Sequence, residues 1–230
     1  MKLSSDLSRE IAKTNDWGKR LKKPLTIRND FDDLAREEGI LVIDGLLKPD
    51  HHKQIVEDTT GPQFPWSLSL GRVHPDDKDP YFVHKAKTPT QYIPKAGGDF
   101  EVLRESSSWV YDYIYNFVEP LGIHQCVRMQ FNCNLAASKV VPDEWHTDFN
   151  YSYSKDYMLT ALYYVTDSNG PTNFQGVGAI ECKANRAVVF PTRQIHAGSS
   201  HTTDDPRIVI NFNYYPFAYP PIYERANNGK

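Results

Sequence analysis

The chain has 230 residues, 40% of them hydrophobic and 24% charged, with a formal net charge of −3. That length suits a single domain with a sizeable core, and the composition is globular rather than disordered. So weak an acidic balance leaves no electrostatic footprint for nucleic acid or an anionic membrane, which makes a small or locally recognised substrate the better default. Cys126, Cys133 and Cys182 are an odd set without paired ligand spacing, so they read as packed thiols rather than disulfides or a zinc site. No apolar run is long enough to span a bilayer, and the charged start of the chain lacks a signal-peptide core, so a reducing cytoplasm is the expected compartment.

Residues 1 to 39 are highly charged, and Asp30 to Glu38 followed by Gly39 predicts a short capped helix within an N-terminal extension. The basic run Gly18-Lys19-Arg20-Leu21-Lys22-Lys23 reads as a solvated face. Ile40 to Ile43, bounded by Gly39 and Asp44-Gly45, predicts a buried strand, and a helix is expected from Pro49 to Asp58. The proline-rich stretch from Gly61 to Gly98 predicts loops with one or two short strands such as Tyr81 to His84. Residues 99 to 119 carry Phe100, Leu103, Val110, Ile114, Phe117 and Val118 near helical spacing, which predicts the longest helix of the chain, ended by Pro120.

From Cys126 onward the hydrophobic period becomes two. Strands are predicted at 126–134, 145–151, 157–166, 178–182, 186–190, 194–198 and 207–215, separated by turn-rich stretches such as Asp167-Ser168-Asn169-Gly170-Pro171 and Ser199 to Pro206. That many short strands in so few residues point to a sandwich or jelly roll with flanking helices. The domain is expected to run over residues 40–216, with its β core at 126–216 and a trailing tail at 217–230.

One triplet carries chemistry. His146-Thr147-Asp148 puts an imidazole and a carboxylate on one face of a strand, and His196 on a later strand supplies a second imidazole. Two histidines and one carboxylate can hold one face of a non-haem Fe(II) and leave the other positions open. By itself the triplet is weak, because 8 His and 19 Asp in this length yield about 0.7 such patterns by chance. The chain has a second one, His74-Pro75-Asp76, but Pro75 and its surroundings assign it to a surface turn. His201 competes with His196 as the second imidazole, yet it sits in a turn composition. On the last strand Arg207, Val209, Asn211 and Asn213 share one face, opposite the apolar Ile208, Ile210, Phe212 and Tyr214. A cation on that first face offers a guanidinium for bidentate capture of a carboxylate.

Taken together, His146, Asp148, His196 and Arg207 resemble in order and spacing the 2-oxoglutarate- and Fe(II)-dependent oxygenases. The similarity is to their prolyl-4-hydroxylase-like branch, which also includes small bacterial and phage proteins, and it covers about residues 126 to 216. Thr160-Ala161-Leu162-Tyr163-Tyr164 looks like that family's Thr-x-x-Tyr-Tyr strand, and Asn185 to Phe190 like its approach to the distal histidine. The resemblance implies a double-stranded β-helix core of the jelly-roll, cupin-like type. It implies a metal held by His146, Asp148 and His196, and 2-oxoglutarate held by Arg207 with help from Tyr164 and, at a position where the family has Tyr, Asn134. It also implies hydroxylation with release of succinate and CO2, consuming O2, with ascorbate as a possible reductant. The retained Asp148 favours hydroxylation over halogenation. Departures are Asn185 at a usual Gly and Gly170-Pro171-Thr172-Asn173-Phe174 in place of a glycine-rich pattern. Asn213 stands for an aromatic residue and suggests a more polar substrate pocket, with Asn150 and Tyr151 near the entrance. The substrate class left open is a peptidyl residue of the prolyl type, a free amino acid or a small metabolite. A non-catalytic cupin-like binding module and a nucleic-acid demethylase of the same superfamily are the alternatives.

Overall fold

The computed structural model describes residues 39–70, 80–89, 91–94, 100–103, 105–115, 117–148 and 158–216. The expected N-terminal helix, the tail, Asn150, Tyr151 and the His74-Pro75-Asp76 triplet lie outside the described residues. The chain opens with β1 (Leu41–Asp44) and α1 (Pro49–Thr60). Pro49 suits a first helical turn, where its missing N–H costs nothing, and Ile55 and Thr59 form the buried side of α1. The strands β2 (Ser67–Ser69), β3 (Tyr81–Thr88), β4 (Gln91–Pro94), β5 (Phe100–Leu103) and β6 (Ser106–Ser107) follow. After them come α2 (Trp109–Tyr115), a 3-10 turn at Glu119–Leu121 and β7 (Gln125–Asn134). The chain then runs through β8 (Leu159–Tyr164), β9 (Ser168–Phe174), β10 (Gly178–Cys182), β11 (Arg186–Pro191), β12 (His196–Ala197) and β13 (Arg207–Tyr215).

An antiparallel main sheet has the order β1-β11-β8-β13-β7-β3-β2, with β6 added to β3, and a smaller sheet has the order β10-β9-β12. Strand alternation divides the core between the two faces of the main sheet. Ala161, Tyr163, Val189, Ile210, Phe212 and their row pack outward against Ile55 of α1 and Val110 and Ile114 of α2. Leu162, Tyr164, Val188, Phe190 and Val209 point inward against Phe174, Ile180 and Cys182 of the small sheet. Two facing antiparallel sheets with helices on one back are the expected jelly roll. The three cysteines are free and buried, as their composition suggested. Burial pushes the Cys126 thiol up to about 12 and the Cys133 thiol up to about 11. No helix among the described residues is long and apolar enough to cross a membrane.

Three expectations need correction. The long helix at 99–119 is instead β5, β6 and the seven-residue α2. Ser106-Ser107-Ser108 explains the break, since serine competes with helical hydrogen bonding, and here Ser107 pairs with Lys87 of β3. The turn read at Asp167 to Pro171 is largely strand β9. Its pairing with β10 shifts register between Ile180 and Cys182, opposite Gly170-Pro171, so the proline falls at an irregularity of the ladder. Third, His146 makes an isolated bridge with His196 instead of belonging to an extended strand.

Asn185 accounts for one departure from the glycine pattern. Its φ of +59° lies in the left-handed region that Asn tolerates better than other side-chain-bearing residues. Its amide then clamps Leu47, accepting from the Leu47 N–H and donating to the Leu47 carbonyl, both at 2.9 Å. Tyr163 also donates to Asn185 Oδ1, at 3.1 Å. A turn residue thereby ties the segment before α1 to the main sheet.

Candidate metal and cosubstrate site

His146 and His196 are brought together by backbone pairing. The N–H of each donates to the carbonyl of the other at 3.0 Å, so two residues fifty positions apart in sequence become direct antiparallel partners. Their rings lie 4.6 Å apart between centroids. Both rings are held by the same local device: His146 Nδ1 bonds Glu144 O at 2.9 Å, and His196 Nδ1 bonds Gln194 O at 3.0 Å. A carbonyl only accepts, so each Nδ1 carries a proton, and in the neutral ring the lone pair is then on Nε2. Burial also holds His196 below the ordinary histidine value, which favours the neutral imidazole a ligand requires.

Asp148 completes the group, and the ligand atoms of His146, Asp148 and His196 all lie within 4.8 Å of one another. Its two oxygens have different surroundings. Oδ2 accepts from Asn213 Nδ2 at 2.8 Å, Thr160 Oγ1 at 3.0 Å and Asn211 Nδ2 at 3.2 Å. Oδ1 has longer contacts, to Asn211 Nδ2 at 3.2 Å and Arg128 at 3.5 Å, and faces His196 Nε2 at 3.9 Å. Oδ1 is therefore the oxygen placed to serve with the imidazoles. Burial opposes ionisation, but Arg128, His196, His146 and the Asn213 hydrogen bond outweigh it and hold the carboxyl well below the usual range. Two neutral imidazoles and one ionised carboxylate on one side of a cavity suit a divalent metal such as Fe(II) with its remaining positions open.

The cavity measures about 1040 Å³ and is lined by the three ligand residues, Arg207, Thr172 and Asn134 among others. Arg207 is a buried cation at the far end of β13. Its Nε donates to Gly170 O at 2.9 Å and its Nη2 to Thr172 Oγ1 at 3.1 Å, which fixes the plane of the fork. Gly170 is required there, because a Cβ would meet Ser200 O at 2.6 Å. Asn134 is the register partner of Arg207 on β7. Tyr164, expected to reach the cosubstrate, donates instead to Thr172 Oγ1 at 2.8 Å and lies beneath the Arg207 guanidinium, 5.8 Å from its ring centroid. Thr172 lines the cavity in its place, and burial raises the Tyr164 phenol to about 12.

Asn213 is corrected more sharply. It is fully buried, its amide donates to Asp148 and to Thr160 Oγ1, and it is not among the residues that line the cavity. Thr160 in turn shares a hydrogen bond with Thr192, extending the cradle under the carboxylate. Asn211 and Thr160 were visible only as members of inward strand faces. His201 is not at a surface turn either: it is fully buried, bonding Thr203 Oγ1 and Asn134 O. That removes it from the metal group and makes it a strut at the end of β7.

Residues 130–215 match the model of the 2OG-Fe(II) oxygenase superfamily. No curated protein matches the chain by sequence. Among solved structures it is similar to a prolyl hydroxylase from Trichoplax adhaerens in complex with a hypoxia inducible factor oxygen degradation domain peptide fragment. The TM-score is 0.55 at 14% identity, covering 88% of this chain and 93% of that one. It is similar also to a 2OG-Fe(II) oxygenase family oxidoreductase from Burkholderia pseudomallei, with a TM-score of 0.54 at 15% identity over 83% and 91% of the two chains. A prolyl-4-hydroxylase from Pseudomonas putida gives a TM-score of 0.51 at 14% identity over 84% of this chain and the whole of the other. At such identities the likeness is one of fold. The chain thus shares its fold with these structures, and its segment 130–215 is similar to the 2OG-Fe(II) oxygenase superfamily.

Proposed function

We propose that this protein is a 2-oxoglutarate- and Fe(II)-dependent hydroxylase. It acts on a peptidyl residue of the prolyl type, a free amino acid or a small metabolite, and releases succinate and CO2. The observation that carries the reading is a buried arginine, its fork fixed by Gly170 and Thr172, lining the same cavity as the His146, Asp148 and His196 triad. In this reading Nε2 of both histidines and Oδ1 of Asp148 hold the metal, which when bound supplies the activation of O2 coupled to 2-oxoglutarate decarboxylation. Arg207 and Thr172 bind the distal carboxylate of 2-oxoglutarate, with Asn134 beside them and Tyr164 supporting them from behind. Asn213, Asn211, Thr160 and Arg128 keep Asp148 ionised and oriented.

The test is succinate formation by the full-length protein with Fe(II), 2-oxoglutarate and O2. His146→Ala is expected to abolish it, and equal succinate from the parent and the variant would overturn the reading. Thr172→Val removes one charge-assisted hydrogen bond and leaves the Tyr164 hydroxyl without its acceptor, so KM for 2-oxoglutarate should rise roughly tenfold or more. An unchanged KM would mean that the cosubstrate anchor is misassigned.

A further inference from the structure

The main sheet continues past β13 and β7 toward β3 and β2, and one wall of the cavity is built from that extension. Its register sets out two rows of side chains. Lys85 of β3 faces Gln130 of β7, which faces Asn211 of β13. In the next row Arg128 of β7 faces Asn213, which faces Thr160. Directly opposed residues on one face have Cβ atoms about 5 Å apart and diagonal ones about 7 to 8 Å. Gln130 separates Lys85 from Arg128, the β3–β7 register shifts just beyond Lys85 on the Arg128 side, and all three residues line the cavity. Next along β7, Asn132 also lines it and accepts from Gln130 Nε2 at 2.7 Å, which holds the amide in place.

Charge gives this wall its meaning. A divalent metal, the Asp148 carboxylate, a doubly charged 2-oxoglutarate and Arg207 neutralise one another, with both histidine ligands neutral. Among the described lining residues the other charged groups are Lys85, Arg128, whose guanidinium already lies 3.5 Å from Asp148 Oδ1, and the carboxylate of Asp143. Asp143 stands on the opposite layer, its Oδ2 2.8 Å from where a Cβ on Gly198 would be. Lys85 is exposed to the cavity side and has no carboxylate partner among the described residues. Leu68, Tyr81 and Val83 add apolar and aromatic surface to this wall, and Trp145, Leu162 and Val209 to the rest of the cavity, so what sets the wall apart is its charge.

We propose that this wall seats the substrate, and that the substrate is a small hydrophilic molecule whose anionic head group, a carboxylate or a phosphate monoester, lies between Lys85 and Arg128 over Gln130. The assignment rests on the oxygenase reading and narrows it to substrates that carry an anionic group. The experiment is calorimetric binding to the full-length protein loaded with Zn(II), which supports no turnover, and with 2-oxoglutarate. The probes are 3-hydroxybutyrate, glycerol 3-phosphate, their neutral counterparts 3-hydroxybutyramide and glycerol, and an end-capped prolyl peptide. At least one anion should bind tenfold or more tightly than its neutral counterpart, and the tighter of the two identifies the head group. Lys85→Met should erase that preference and Lys85→Glu invert it, while Lys53→Met on α1 keeps it. Equal binding of anion and neutral counterpart, tighter binding of the peptide, or an intact preference in Lys85→Met overturns the proposal. Failure of 2-oxoglutarate itself to bind, or its indifference to Arg207→Ala, brings down the oxygenase reading and this proposal with it.

Discussion

Asn213→Ala separates an orienting role from a packing role. The side chain donates to Asp148 Oδ2 and to Thr160 Oγ1, both at 2.8 Å, while its own Oδ1 is buried without a partner among the described residues. Removing the amide loses a hydrogen bond to a charged group, about 1.5 to 3 kcal/mol, and a neutral one of about 1 kcal/mol. It also relieves the unpaired carbonyl oxygen, which costs about 1 to 3 kcal/mol in the parent protein. The metal-free variant should therefore be only about 1 kcal/mol less stable to urea. Metal affinity should respond far more, because Asp148 loses its shortest contact and partners of metal ligands typically contribute 10- to 100-fold, or about 1.4 to 2.7 kcal/mol. Chelator competition with Zn(II) or Co(II) measures the affinity, and urea unfolding followed by circular dichroism measures the stability. A dissociation constant within twofold of the parent, combined with a stability loss of 3 kcal/mol or more, would refute the orienting role.

Asn185→Ala should destabilise the protein by about 3 kcal/mol, through the lost clamp on Leu47 and a left-handed backbone that alanine disfavours. Asn185→Gly loses the clamp alone and should cost less, so denaturation showing glycine to be the worse substitution would contradict this account. Burial holds His52, His84 and His196 below the ordinary value of 6.5, so below that pH the unfolded chain takes up protons before the folded one does. Stability of the metal-free protein should accordingly fall as pH drops below about 6.5. Asp148, held below its ordinary 3.8, adds a second loss at still lower pH. A urea midpoint higher at pH 5.5 than at pH 7.5 would reverse the sign and refute this.

The grouping of His146, Asp148 and His196 beside Arg207 could be read from sequence because its parts announce themselves: a His-x-Asp triplet, a histidine after an apolar strand, and an arginine opening an alternating one. What supports them was harder to see. Asn211 and Asn213 lay on the correct strand face, but amide side chains look the same whether they face substrate or hold a ligand, and only tertiary position distinguishes the two. His201 shows the same limit, since a turn composition around a residue says nothing about whether the turn folds inward. The failed helix at 99–119 had a genuine 3.6-residue period in its apolar residues, broken by three serines whose cost depends on whether a neighbouring strand is available to pair with them. β9 was hidden for the opposite reason, because Gly170 and Pro171 signal a turn wherever the facing strand does not shift register to receive them.

The mutual hydrogen bonds of His146 and His196 also bear on when the site can exist. Closing a loop of that length costs about 3.5 kcal/mol in chain entropy beyond a constant, and two backbone hydrogen bonds do not offset it on their own. The bridge is expected to close after β8, β11 and β13 have assembled, so that a metal is captured by a finished sheet rather than recruited to nucleate one. Amide exchange at His146 and His196 would report that order directly: metal should slow exchange at those two amides while leaving the strands of the main sheet unaffected.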